Sequence, residues 1–419
     1  MPLRFKIGFS YTLSYILLLG LLASGAIWPE AIWPDLVPQK MPISLFMVAE
    51  GAALIFLLGV LLPQGLTKPS SFFLHLQLAV ITIPMTVLYV AQGYPRLFYY
   101  YSVFGFGLIV AVSKYVKVPS IPLRLKFQRL PSLFFMLALL CAYIASVLSF
   151  GAGQYFNLNI WEIYEYRSSA EAALPDIFGY ISPWVSKVLC PLALILSIQL
   201  RSARLAVLIV LINTIIFGLT NHKMTLFTPA IIIVAYALVN RRLTGLQAAK
   251  SYCAMAIILI GAYGVGAYWA VSLFARRALF VPSHLNYVYH DFFNEHGFML
   301  WGHGVANSEL RNGAQLVGEQ VFGSSTMSAN TGWIGSGYMN AGYYGILLYA
   351  VLIGLIYAVL DSISSHERLA LVVSLSLLPI ISLLMSSDLP TALFTHGGGL
   401  AILLLHISLP SRTKETLIR

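Results

Sequence analysis

"KSYCAMAIILIGAYGVGAYWAVSLFARR" (residues 250–277) is a run of apolar and small residues closed by two adjacent arginines. Its apolar part, 250–274, exceeds the length of about 20 residues that a helix needs to cross a bilayer. The rest of the chain has the same character. Of 419 residues, 59% are hydrophobic and only 10% charged. A soluble domain cannot hide that much apolar surface, so the composition excludes a soluble fold and points to an all-α polytopic membrane protein.

Apolar stretches at about 7–28, 42–62, 71–91, 97–116, 131–151, 178–199, 203–219, 224–240, 250–274, 341–361, 368–386 and 390–409 give about twelve transmembrane helices in one integral membrane domain, 1–419. The first run follows Arg4 and Lys6 and is read as an uncleaved helix, because it joins a regular series. Cys141, Cys190 and Cys253 fall in three different apolar segments and read as buried structural thiols.

With this spacing, seventeen Lys and Arg fall on the side of the N-terminus and seven on the other, with Lys187 inside a span. The positive-inside rule then puts both termini in the cytoplasm. Eleven of the fifteen acidic residues fall outside, so the net charge of +10 is a topological signal and nucleic acid is not an expected partner. Two loops on the outer side are long, 152–177 between the fifth and sixth spans and 275–340 after the ninth. Long loops outside a compact domain carry function, so the chemistry is expected on that face.

Arg276 and Arg277 stand on the side where positive charge is depleted. Snorkelling to lipid headgroups accounts for one terminal arginine, but on a helix two adjacent side chains diverge by about 100°, so at least one is expected to face protein or ligand. Past Pro282 the sequence reads as a short helix with Ser283 as N-cap. His284, Tyr287 and Asp291 would share its polar face, and Leu285, Tyr289 and Phe292 the greasy one, as in a helix lying at the membrane surface. In the earlier loop Arg167 sits among Glu162, Glu165 and Glu171, where it either neutralises acidic neighbours or serves a ligand. Lys187, at membrane depth, is a functional candidate by default, with a structural pair to Glu50 as the alternative. Lys223, in the turn "TNHKMT", adds another cation.

Cations gathered on one face suit a lipid-linked phosphate or pyrophosphate, which arginine grips as a bidentate fork. Tyr164, Tyr166, Tyr287, Tyr289, Trp301 and Trp333 offer faces for sugar rings, or form an interfacial aromatic belt. The chain has no Walker loop, HExxH, DxD or GxSxG pattern, and His290, His296 and His303 lack ligand spacing, so no metal or cofactor is expected. His396, in "FTHGGG", reads as a hydrogen-bonded structural histidine.

Three stretches in order, "EIYEYRSSA" (162–170), "RRALFVPSHLNYVYHDFF" (276–293) and "NTGWIGSGYMNAGYYGILLY" (330–349), resemble the O-antigen and oligosaccharide repeat-unit polymerases of the bacterial inner membrane, the Wzy family. The last stretch is rich in small residues that let backbones approach closely. The resemblance implies a GT-C-like glycosyltransferase with a large extracytoplasmic loop. Its substrates would be undecaprenyl-pyrophosphate-linked oligosaccharides, and membrane lipids and a chain-length regulator are its other implied partners. An acceptor hydroxyl attacks the anomeric carbon of the donor and the pyrophosphate departs with its lipid. Arg276 or Arg277, with Arg167, would stabilise that leaving group, and Lys187 and Lys223 would assist. Asp291, His290, Glu165 and His303 all remain open as the base, while His284, Tyr287 and Tyr164 would contact substrate. An O-antigen ligase uses the same donor and is the nearest alternative. A flippase or transporter is the alternative of a different class; the absence of visible repeats and the outer clustering of cations weigh against it.

Overall fold

Among the described residues twelve apolar helices lie close to where hydropathy puts them. Ten reach 18 residues or more, and Leu45–Leu61 and Leu369–Met385, of 17 residues each, stand at the lower limit for a span. The computed structural model describes residues 1–27, 42–119, 128–304, 312–325 and 327–407, without the side chain of Tyr164. Arg311 in the long loop and the basic residues Arg124 and Lys126 lie outside the described residues. Among those described there is no β-strand, only an isolated bridge between Gly65 and Thr244. The protein is an all-α polytopic membrane protein.

Contacts divide the chain into two compact units. One comprises Met1–Val118, Arg242–Asp361 and Ser382–Leu389; the other comprises Pro119–Arg241, Ser362–Ile381 and Pro390–Arg419.

In the first unit, Leu3–Ala23 crosses Leu45–Leu61 where two glycines meet. A Cβ on Gly59 would fall 2.7 Å from the Gly8 Cα, so only hydrogen fits there. The ninth span is shorter than its hydropathy suggests. Gly245–Gly264 ends at Val265, and Gly266 takes a φ of +79°, which glycine adopts without a Cβ penalty. The chain turns helical again at Tyr268 and continues without interruption to His296. The arginine pair therefore lies inside a second helix and does not close the first.

This second helix also corrects the reading of Pro282 as a restart. Val271–Phe280 is π-helical and leads directly into Val281–His296. Ser283 is buried in mid-helix, its hydroxyl without a hydrogen-bond partner, and caps nothing. The same arrangement occurs twice more: π-helical Leu78–Thr82 precedes Pro84, and π-helical Val185–Leu189 precedes Pro191. A proline lacks the N–H of the helix ladder and its ring crowds the carbonyl four residues back. A widened turn upstream moves that carbonyl aside, so the helix passes the proline without ending.

Trp333–Ile363 is two helices. Ala341 (φ −150°, ψ 30°) and Gly342 (φ 59°, ψ −143°) break it. The break folds its halves together, so that a Cβ on Gly337 would fall 3.0 Å from the carbonyl oxygen of Gly345. The small residues of "GSGYMNAGYYG" thus serve close backbone approach, as their composition implies. Asn286 fixes the start of this element: its Oδ1 accepts from the Gly335 N–H at 2.7 Å and from the Thr331 hydroxyl at 3.1 Å, while its Nδ2 donates to the Pro282 carbonyl.

In the second unit, Arg129–Ser149, Phe178–Gln199, Ala203–Thr220 and Lys223–Asn240 pack side by side, and Leu389–Ile407 is interrupted around 394–397. Leu133, Met136, Leu140 and Tyr143 bury one face of Arg129–Ser149, and Phe134, Phe135 and Leu148 leave the opposite face apolar and open, as a lipid-facing helix requires. Cys190 and Cys253 are buried; Cys141 is on the exposed face of its helix, which corrects its reading as a buried thiol.

Candidate functional site

One end of the second unit holds a cavity of about 380 Å³. Its position follows from local sequence. Asn221 ends Ala203–Thr220 in the left-handed conformation that asparagine tolerates, and its amide donates to the Tyr155 carbonyl at 3.1 Å. His222 is thereby set at the entry to the next helix. Across from it, Ile163–Ala172 brings Arg167 and Glu171 onto one face at i, i+4. The Arg167 Nε–H donates to Glu171 Oε1 at 3.0 Å, and the same oxygen lies 3.2 Å from His222 Nε2. His222 first, and Arg167 after it, hold the Glu171 carboxyl down at about 2 against the opposing pull of burial.

The break in the last helix supplies the remaining wall. The Trp184 indole N–H donates to the Phe394 carbonyl at 2.6 Å, and a Cβ on Gly397 would fall 2.7 Å from Val188. Thr395 and His396 thus line the cavity, and both Lys187 and His222 are within electrostatic reach of His396. Carboxylates (Glu171, Asp176), imidazoles (His222, His396) and hydroxyls (Ser182, Thr220, Thr395) line the cavity together with the apolar Leu174, Pro175, Phe178 and Leu219. Such a mixture of polar edges and apolar walls is suited to binding a small hydroxylated molecule.

The first unit holds the other group of sequence candidates. The helix of the arginine pair packs along Ile83–Gln92, and from Ala278 to His290 it has no exposed residue. His284 and Tyr287 do not form a solvent-facing stripe with Asp291, which corrects the amphipathic reading: polar groups here are matched with one another. Tyr287 is fully buried, stacks on Tyr94 at 4.1 Å and donates its hydroxyl to the Met85 carbonyl at 3.0 Å. The Tyr94 hydroxyl bonds His284 Nδ1 at 2.7 Å, and burial pushes that imidazole down to about 4, so it is neutral at pH 7. His290 lies against Phe98 and Tyr338, with its Nδ1 2.8 Å from the exposed Asp291 carboxylate. Arg276 is half-buried and donates to the Ser272 hydroxyl at 3.0 Å; Arg277 is exposed. His303 is exposed in the turn after Trp301.

Of the sequence candidates, Arg276, Arg277, His284, Tyr287, His290, Asp291 and His303 belong to the first unit, and Tyr164, Glu165, Arg167, Lys187 and Lys223 to the second. The side chain of Tyr164 lies outside the described residues. Glu165 is exposed and does not line the cavity, and neither does Lys223, which directly follows His222. The Lys187–Glu50 alternative is replaced: Glu50 accepts from the hydroxyls of Tyr89 and Tyr100 and pairs with Arg96 at 3.7 Å. Arg167 does neutralise an acidic neighbour, Glu171. His222, Glu171 and Asp176 escaped the sequence reading as a site. The i, i+4 spacing of Arg167 and Glu171 was a local signal, whereas the meeting of Glu171 with His222 is tertiary. Among the described residues no three His, Cys, Asp or Glu side chains converge as metal ligands.

Comparison with protein-family models, curated proteins and solved structures found no match to this chain.

Proposed function

We propose that the protein is a polymerase of lipid-linked polysaccharide repeat units, with its active site on the face opposite the basic loops. In this reading the donor is a glycan on undecaprenyl pyrophosphate, the acceptor a single lipid-linked repeat unit, and the membrane the bacterial inner membrane. The observation that carries it is the adjacent pair Arg276 and Arg277, held on a helix whose neighbouring residues Ser283, Asn286, Tyr287 and Tyr289 are fixed by burial. Positive charges on a rigid element are preorganised for an anion. A departing pyrophosphate gains charge as the glycosidic carbon leaves it, so preorganised cations stabilise the transition state more than the ground state.

The test is a gel of lipopolysaccharide from a strain lacking the gene, with and without the intact copy restored. A core bearing one repeat, with the ladder regained on restoration, supports the polymerase. A bare core points to ligation or flipping, and an unchanged ladder rejects a role in this polymer.

A further inference from the structure

We propose that the cavity of the second unit is a binding site for one neutral pyranose ring, as a monosaccharide or as a single sugar of a longer glycan. This goes beyond the polymerase reading. It is carried by residues of one unit and holds whether or not the arginine pair meets a pyrophosphate.

Charge selects the class of ligand. Asp176 lines the cavity, and among the described residues its carboxylate makes no hydrogen bond or ion pair. An anion there would meet a fixed negative charge at close range. The second carboxylate, Glu171, is already engaged: Arg167 donates to its Oε1 at 3.0 Å, and His222 Nε2 lies 3.2 Å from the same oxygen. The two acids therefore do not act as a pair for a cation, and among the described residues no three His, Cys, Asp or Glu side chains converge as metal ligands. An uncharged ligand rich in hydroxyls meets neither obstacle.

The edges and walls suit a sugar. Ser182 accepts from the Tyr143 hydroxyl at 2.9 Å and keeps its own proton to donate. Thr220 donates to the Ile216 carbonyl at 2.8 Å and keeps its oxygen to accept. With the Asp176 carboxylate, the lining thus offers a donor beside fixed acceptors. A sugar hydroxyl does both at once, whereas an ammonium only donates and a fully ionised phosphate only accepts. Pro175, Phe178, Pro183 and Leu219 supply apolar wall for the C–H face of a ring. The volume of about 380 Å³ stands at the small end of the range for small-molecule sites, as one ring requires. Phe178–Gln199 begins and Ala203–Thr220 ends at the cavity, so a hydrophilic ring reaches it without entering the apolar length of these spans. The bonds from Asn221 to Tyr155 and from Trp184 to Phe394 fix the rim before any ligand arrives, which lowers the ordering cost of binding.

The test is saturation-transfer NMR on the purified full-length protein in lipid nanodiscs. Glucose, galactose, N-acetylglucosamine and rhamnose are the neutral probes, and glucosamine and glucuronate the charged ones. At least one neutral probe is expected to bind saturably and in preference to both charged probes. Thr395→Trp and Gly179→Trp fill the cavity from different walls, and a Cβ at Gly179 meets no atom within 4 Å, so room exists for the change. Each should abolish the signal while keeping a wild-type melting profile. Asp176→Leu, at an exposed position where folding is not at stake, should weaken binding by about tenfold or more, as loss of a hydrogen bond to a charged group does. Asp176→Asn keeps one acceptor and should weaken it less. The assignment is overturned if none of the four neutral probes binds saturably, if binding survives both fillings and Asp176→Leu, or if a charged probe is preferred. The polymerase reading is judged by the ladder and not by this binding, so the failure of either leaves the other standing.

Discussion

Tyr349 donates its hydroxyl to Asp388 Oδ1 across 2.7 Å, joining the second half of the broken helix Trp333–Ile363 to the segment that precedes the last span. The Asn340 amide reaches Asp388 Oδ2 at 3.4 Å, the Leu389 N–H donates to Oδ1 at 2.9 Å, and the Trp301 indole N–H donates to the Tyr349 oxygen at 2.8 Å. Tyr349→Phe removes one hydroxyl from three bonds, to Asp388, Asn340 and Trp301, leaving the Trp301 N–H without its acceptor. Leaving buried polar groups short of a partner costs about 1–3 kcal/mol, so a clear loss of thermal stability in detergent is expected. Asp388→Asn keeps an acceptor for Tyr349 and should cost less; equal melting of Tyr349→Phe and wild type would show that the network does not hold the break.

Arg368 joins two helix ends within the second unit. Its guanidinium donates to the Ile363 carbonyl at 3.1 Å and the Leu405 carbonyl at 2.8 Å, both in the last turns of their helices, where positive charge is favoured. Arg368→Lys keeps the charge but loses the planar fork that spans both oxygens. One buried carbonyl is then orphaned, at a cost of about 1–3 kcal/mol, and unfolding in mild detergent should shift accordingly. A variant as stable as wild type would mean that the charge alone suffices.

The helices were legible because hydropathy is a local property, and a run of apolar residues needs no partner to declare itself. Proline gave a signal that the sequence reading misjudged. Pro282 reads in sequence as a restart, but the widened turn before it lets the helix continue, as at Pro84 and Pro191. The break at Gly266 hides inside an apolar run, since hydropathy does not register backbone geometry. Charge counting has a similar blind spot: Arg368 counts as a topological charge, although its side chain is buried and caps two helices. Tyr287 read as a sugar-facing aromatic because helical periodicity cannot tell a face toward solvent from a face toward Tyr94 and Met85. The cavity depends on Glu171 meeting His222 from another helix, and no spacing rule encodes that meeting.

The Glu171 carboxyl should titrate far below its ordinary value of 4.5, at about 2, chiefly because His222 donates to it. A depressed carboxyl contributes its stabilisation above the unfolded-state value and loses it as pH falls through the folded one. The anchoring of Ile163–Ala172 by this group is therefore expected to persist through pH 4.5 and to fail as pH falls toward 2. Infrared difference titration of protein with ¹³C-labelled glutamate, against Glu171→Gln, reads this carboxyl directly. In His222→Ala the band should move up toward 4.5; a wild-type Glu171 already titrating there would rule out the ion-pair geometry.

The arginines supply the sharpest functional prediction. Arg276 is half-buried and tied to Ser272, and Arg277 is exposed beside it, so their roles differ in environment and not in chemistry. If the pair stabilises a departing pyrophosphate, Arg276→Ala and Arg277→Ala should each lower chain extension by about 10²–10³-fold, the usual cost of one donor to developing charge. Lysine at either position should recover only part, because it brings the charge without the bidentate fork. Arg167→Ala acts by another route: it strips Glu171 of its anchor, so its defect should be smaller and accompanied by the upward shift of the Glu171 titration. Ladder length in the complemented strain and extension by purified protein read both effects, with membrane insertion checked by immunoblot. A double Arg276→Ala, Arg277→Ala variant that inserts normally and still builds a full ladder would remove the leaving-group role from this helix.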